Sequence, residues 1–333
     1  MSEHRFLVVR LSSLGDIVHT FPAVAGLRES FPNSEIVWLT HPRWQVLVES
    51  GQLATEVWTA DNRSLASIRE VIRRIRKKQF STAIDYQGLW KSAALPFLGG
   101  VRRRIGFSSG TIREFGVPVL YTDRVKSTAT HIADQNGELS LCAGARNGVA
   151  PFTLGVSSIQ EAFVLQLLRG FSIDRYMVLS PGGGWGSKCW PPDRYGSLCE
   201  KVHDRLGLRC VLNHGPGEED LIAAVKTASG KADPVAYNGS LGQLMALLRN
   251  AACIVAGDTG PLHLAVALGT PAVALFGPTD PARNGPYGTH DPVLRAKDVA
   301  STYARNEQPH PSMLSIEVDA VFDAVCRRIK AAM

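Results

Sequence analysis

The residues of this 333-residue chain best equipped for chemistry fall into two sets. The first lies in residues 10–16 (RLSSLGD), directly after an apolar run, where Arg10, Ser12, Ser13, Gly15 and Asp16 stand together. A carboxylate at the end of a strand can take a proton from an incoming hydroxyl. The serines can hold that hydroxyl by hydrogen bonds, Arg10 can pair with acid groups on the same acceptor, and Gly15 would let the backbone come close. An aspartate at this position also suits a plain helix N-cap, and the segment alone leaves both readings open. His19 is a second candidate base, or a structural donor in a first helical turn.

The second set lies in residues 256–281 (AGDTGPLHLAVALGTPAVALFGPTDP). Gly257 and Gly260 permit a tight turn, Pro261 fits a first helical position, and the free N–H groups of the first turn form a phosphate site. Asp258 could accept from sugar hydroxyls, Thr259 could add a hydroxyl donor and His263 a ring N–H. A glycine-rich loop, residues 181–195 (PGGGWGSKCWPPDRY), supplies Gly183 and Gly184 for gripping an anion and Lys188 as a point charge. A departing diphosphate needs such compensation, because charge builds on its oxygens as the bond breaks. Glu218 or Glu219, in residues 214–220 (HGPGEED), could serve ribose hydroxyls or simply favour a helix start. Trp185 and Trp190 read as packing residues.

These loops need a scaffold of strands and helices. Residues 5–11 read as a buried strand, and Ile17, Phe21, Val24, Ala25 and Leu27 then recur at helical spacing. Residues 35–41 and 81–88 give a second and third strand, with an amphipathic helix over 64–80 turning Leu65, Ile68, Ile72 and Ile75 inward. The pattern restarts with strands near 176–180, 208–213, 253–257 and 271–276, and a final helix closes the chain. Alternating strand and helix imply an α/β protein with parallel, doubly wound sheets. We place the connection within 159–170, giving domains over 1–160 and 161–333, with a terminal helix that can return to the first. Ligands of such sheets bind at the carboxyl ends of the strands, so the expected site is a cleft faced by both domains.

Other classes are excluded or disfavoured. Neither half carries G-x-G-x-x-G with an acid about 20 residues on, so nicotinamide binding has no fingerprint, and a P-loop is absent. The six cysteines are scattered without metal spacing, and the scheme above requires no metal. Absence of a signal peptide and of a long apolar segment predicts a cytoplasmic protein. The net charge of +6 lies wholly in residues 1–155, which hold 19 Lys+Arg against 13 Asp+Glu, whereas the remainder holds 17 against 17. That asymmetry predicts an anionic partner for the first half. The run 73–80 (RRIRKKQF) has one aromatic residue, which disfavours nucleic acid.

Residues 8–24 (VVRLSSLGDIVHTFPAV), 131–136 (HIADQN), 187–191 (SKCWP) and 257–288 resemble glycosyltransferase family 9, the heptosyltransferases, from about residue 5 to about 290. The resemblance implies a GT-B fold of two Rossmann-like domains, acceptor in the first and nucleotide sugar in the second. It implies an ADP-heptose donor and inverting transfer of L-glycero-D-manno-heptose to Kdo of Kdo-lipid A. By the same resemblance Asp16 is the general base, and Arg10, Ser12 and Ser13 contact acceptor. Lys188 takes the diphosphate, and Asp258, Thr259, Gly260, Leu262 and His263 form the donor loop. The family pattern has a glutamate where this chain reads Gly217 and then Glu218. Arg69, Arg73, Arg74, Arg76, Lys77, Lys78, Arg102, Arg103 and Arg104 would then meet the anionic inner-membrane surface or lipid A phosphates. Two alternatives stay open: a family member with another acceptor (a later core heptose, a protein or a small natural product), and a nucleotide-binding protein without catalysis.

Overall fold

The computed structural model describes residues 4–61, 63–112 and 114–332, and falls into two compact units, Met1–Gly155 and Val156–Met333. The first unit contains β1 (Arg5–Val9), β2 (Glu35–Thr40), β3 (Glu56–Thr59), β4 (Thr82–Asp85), β5 (Arg103–Phe107) and β6 (Asp123–Val125). They form one parallel sheet in the order β3-β2-β1-β4-β5-β6. The second contains β7 (Tyr176–Ser180), β8 (Arg209–Asn213), β9 (Val235–Tyr237), β10 (Ile254–Gly257), β11 (Ala272–Phe276) and β12 (Val293–Arg295). Its parallel order is β12-β11-β10-β7-β8-β9. Both are Rossmann-type sheets whose strand order reverses between the first and fourth strands, which is where such sheets bind ligands.

The central strands read as continuous apolar runs because helices cover both faces of each sheet. Phe6, Leu7, Val8 and Val9 are all buried, as are Tyr176, Met177, Val178 and Leu179. Full burial of such aliphatic or aromatic side chains contributes roughly 1.5–3 kcal/mol each, so the middle of each sheet anchors its unit. The strands absent from the sequence reading, β3, β5, β6, β9 and β12, are short, and several carry charged residues.

Several local expectations are corrected. Asp16 lies not on a loop but in the first turn of a helix, Leu14–Val18, and a second helix, Phe21–Ser30, follows. Pro22 separates them, since it has no N–H to continue the first ladder but is well placed in the first turn of the second. In the helix Leu65–Lys78, capped by Ser64 accepting from the Ser67 amide, Val71 and Ile75 are the buried residues, while Leu65 is exposed. Residues 159–170 do not form a connection. They belong to the helix Ser158–Gly170, which buries Val164 and Leu168 and packs on the helix Leu241–Arg249 within the second unit. The terminal helix, Val318–Ala332, stays with the second unit, where Val321, Ala324 and Val325 enter the core and Arg328 pairs with the buried Asp291.

Candidate active site

Charged side chains gather at the strand-order reversal of each unit. In the first, Arg10 leaves the end of β1 and runs beneath the Leu14–Val18 helix, its side chain only 7% exposed. One guanidinium nitrogen donates to the Tyr86 carbonyl beyond β4, and the other lies 2.8 Å from Asp16 Oδ1. Asp16 Oδ2 accepts from the Ser13 amide at 3.1 Å and the Ser13 hydroxyl at 2.7 Å. The carboxylate is therefore held by a capping arrangement and by an ion pair together, yet its side chain remains 43% exposed. Cap and solvent-facing base are compatible roles.

The opposite wall of this cluster was not anticipated from sequence. Gln87 accepts from the Leu11 amide at 2.6 Å and donates to the Ser12 hydroxyl at 3.2 Å. Its loop is fixed by Asp85, the last residue of β4. That buried carboxyl accepts from the Gln87 and Gly88 amides at 2.9 and 3.3 Å, and from the Tyr121 and Ser92 hydroxyls at 2.7 and 2.9 Å. Burial pushes the Asp85 carboxyl up, and its neutral hydrogen-bond donors only partly offset this. Arg10, expected from sequence to contact acceptor, is paired with Asp16 and the Tyr86 carbonyl. Gly15 is buried within the helix. The buried His19 meets the His131 ring edge-on, with centroids 5.3 Å apart.

In the second unit, the loops after β7, β8 and β10 converge. Lys188 Nζ lies 2.6 Å from Asp258 Oδ2, and His263 Nε2 lies 3.2 Å from Asp258 Oδ1. Side-chain exposure is 13% for Lys188, 6% for Asp258 and 5% for His263. Burial pushes the Asp258 carboxyl up, but the hydrogen bond and charge of His263 and the ammonium of Lys188 outweigh it. They hold the carboxyl well below the usual carboxylate range. Asp258 and His263 thus face each other. A buried carboxylate takes the cations nearest to it. Thr259 caps the helix Gly260–Ala267 by position, its hydroxyl turned back to the Gly257 carbonyl at 3.3 Å, and Leu262 is fully buried.

Two of the glycines lie close to neighbouring groups. A Cβ on Gly182 would stand 2.0 Å from Glu218 Oε1, and one on Gly257 would stand 3.0 Å from the Lys188 carbonyl. Glu218 Oε2 also accepts from the Gly215 amide at 2.7 Å, so this carboxylate sits against the glycine-rich loop. Gly184 has open space around it, whereas Gly183 neighbours Thr259 and Cys189. Trp190 is buried in the core, its indole N–H donating to Ile316. Trp185 instead offers its ring to cations, with Lys188 Nζ 4.2 Å from the centroid.

Two doubly wound units of this kind match the GT-B fold of the solved heptosyltransferases. The chain belongs to glycosyltransferase family 9, the heptosyltransferases, whose model matches residues 68–312. It is 30% identical over 310 residues to lipopolysaccharide heptosyltransferase 1 of Escherichia coli strain K12, covering 88% of this chain and 93% of that protein. It is 24% identical over 305 residues to the lipopolysaccharide core heptosyltransferase OpsX of Haemophilus influenzae, covering 90% and 85%. Among solved structures, E. coli heptosyltransferase WaaC with ADP-2-deoxy-2-fluoro heptose superposes with a TM-score of 0.73 at 26% identity, covering 97% and 99% of the two chains. A family 9 glycosyltransferase from Veillonella parvula gives 0.85 at 20% identity, covering 98% and 97%. Family membership makes the chain a glycosyltransferase and removes the non-catalytic alternative. No helix among the described residues is long and apolar enough to cross a membrane.

Proposed function

We propose that the protein transfers L-glycero-D-manno-heptose from ADP-heptose to Kdo of Kdo-lipid A, with inversion at the anomeric carbon. The observation that carries the reading is the Asp16 carboxylate, braced by Arg10 and Ser13 and still open to solvent at a ligand-binding position of the fold. In the reaction, Asp16 takes the proton of the acceptor hydroxyl as that oxygen bonds to the anomeric carbon. The bond to the diphosphate breaks with its electron pair leaving on ADP. Lys188, held by Asp258, and the first-turn N–H groups of the helix Gly260–Ala267 receive the charge. Glu218, beside the glycine-rich loop, is positioned for the nucleotide. ADP-heptose as donor is supported by the ADP-sugar bound to the E. coli neighbour, and the lipopolysaccharide acceptor by the curated relatives.

The same reading places the first unit on anionic lipid as a peripheral protein of the cytoplasmic face. Its basic residues are not equivalent. Lys78 is matched by Glu35 and Glu56, Arg103 by Asp123 and Arg73 by Glu70, whereas Arg69, Lys77 and Arg102 have no carboxylate partner among the described residues. Each unmatched basic residue near an anionic bilayer contributes about 1 kcal/mol. Flotation with phosphatidylglycerol vesicles tests this, and binding that ignores salt and lipid charge would refute it.

ADP release from ADP-heptose, measured with Kdo-lipid A, with later core acceptors and with no acceptor, tests the reaction. Release that requires Kdo-lipid A supports the assignment. Release that requires a later core sugar moves the protein to another step, a reading that the similarity to lipopolysaccharide heptosyltransferase 3 keeps in view.

A further inference from the structure

The glycine-rich loop faces a second cation that the mechanism above leaves unused. Arg305 lies in the segment 302–310, with its guanidinium carbon 5.1 Å from the centre of the Trp185 ring, the ring that also faces Lys188 at 4.2 Å. Both charges over one indole are within roughly a Debye length, ~10 Å, of each other. Lys188 has Asp258 as counter-ion, but Arg305 makes no ion pair or hydrogen bond among the described residues. Of the two cations facing the indole, Arg305 is therefore the one left without a counter-charge beside the glycine-rich loop.

The segment that brings Arg305 there is tied to the loop. The Ser187 amide donates to the Asn306 carbonyl at 2.9 Å, and the His310 amide donates to the Ser187 carbonyl at 3.3 Å. The Ser187 hydroxyl reaches the Ala304 carbonyl at 3.4 Å. At Gly186 a Cβ would lie 1.6 Å from the Glu307 carbonyl oxygen, so only glycine allows this packing. The guanidinium itself is exposed, its backbone is anchored, and the indole gives its flat face a place to rest.

We propose that Arg305 is a second diphosphate-binding residue of the donor site, with Trp185 as its platform. The inference rests on the reading of the second unit as the nucleotide-sugar unit and names a residue of that site. Lys188 acts as a compact point charge, whereas the planar guanidinium of Arg305 can grip two phosphoryl oxygens at once. Its contribution therefore follows the diphosphate and not the nucleoside.

Isothermal titration of ADP, AMP and inorganic pyrophosphate against the full chain tests this with Arg305→Ala, Arg305→Lys and Trp185→Leu. The expected result is a roughly tenfold loss of ADP and pyrophosphate affinity in Arg305→Ala, with AMP changed by less than about twofold. Arg305→Lys recovers part of the loss, and Trp185→Leu reproduces part of it. Unchanged ADP affinity in Arg305→Ala overturns the role of Arg305 while leaving the donor reading intact. Equal weakening of AMP and ADP also overturns it. Failure of the unaltered protein to bind either ADP or pyrophosphate overturns both.

Discussion

Asp85 and Asp258 occupy matching places in the two units, one ending β4 and the other just after β10, each the fourth strand of its sheet. Both are buried, and burial pushes both carboxyls up. They nevertheless end on opposite sides of the ordinary carboxylate range. Asp85 is met by two hydroxyls and two amides, which do not outweigh desolvation, so its carboxyl stays raised. Asp258 is met by Lys188 and His263, whose hydrogen bonds and charge do outweigh it. With the same strand order, the partner set decides in which direction a buried acid is shifted. The first unit thereby holds a buried carboxyl met by neutral donors below an exposed carboxylate, and the second a buried carboxylate paired with Lys188 and His263.

The sharpest way to break this contrast is Asp258→Asn. Removing one member of a buried ion pair costs about 3 kcal/mol, because Lys188 loses its counter-charge. A urea midpoint unchanged at neutral pH would refute the contrast. Next in size is Asp16→Ala, for which turnover falls at least about 100-fold, or roughly 2.7 kcal/mol, while ADP affinity is retained. Near-normal turnover would remove Asp16 as the base. Gln87→Ala, which releases Ser12 and the Leu11 amide, should lower kcat by about tenfold with little change in the KM for donor. A change confined to the donor KM would show that Gln87 does not serve the base.

The smallest expected effect is the most discriminating. Asp85→Asn should cost about 1 kcal/mol, since this carboxyl has hydrogen bonds but no ionic partner to lose. The pH profiles should also differ in sign. The folded-state value of Asp258 is lowered, so its contribution is present above the unfolded value of about 3.9 and is lost as pH falls below it. The folded-state value of Asp85 is raised, so its contribution is full below about 3.9 and declines as pH rises through the folded value. Stability curves of the two asparagine variants against the parent from pH 3 to pH 8 (roughly the span between acid and neutral limits) check both directions. Parallel curves would contradict the comparison.

What the sequence made legible follows from range. Apolar runs of five or six residues marked the central strands, and the glycines and prolines of 181–195 and 256–261 marked phosphate-type turns. The partners of those turns were not legible. Asp258 meets Lys188 from 70 residues away, Gln87 meets Leu11 from 76, and Tyr121 meets Asp85 from 36. Sequence pattern carries no record of such pairings, and so Asp258 and His263 read as outward-facing groups. Leu65 was misplaced for a local reason, as the first residue of its helix, beyond the last turn that reaches the core. In the helix Ser158–Gly170 the apolar residues Ile159 and Phe163 are exposed while Val164 and Leu168 are buried, a split that apolar content alone does not reveal.

The fit of Gly186 against Glu307 has a practical consequence for anyone who wants to retool the donor pocket. Residues 182–188 cannot be transplanted from a relative as a free-standing cassette, since they share hydrogen bonds and a single glycine-sized gap with 304–310. Chimaeras should exchange both stretches as one inherited unit, or the graft will arrive without the wall it was shaped against.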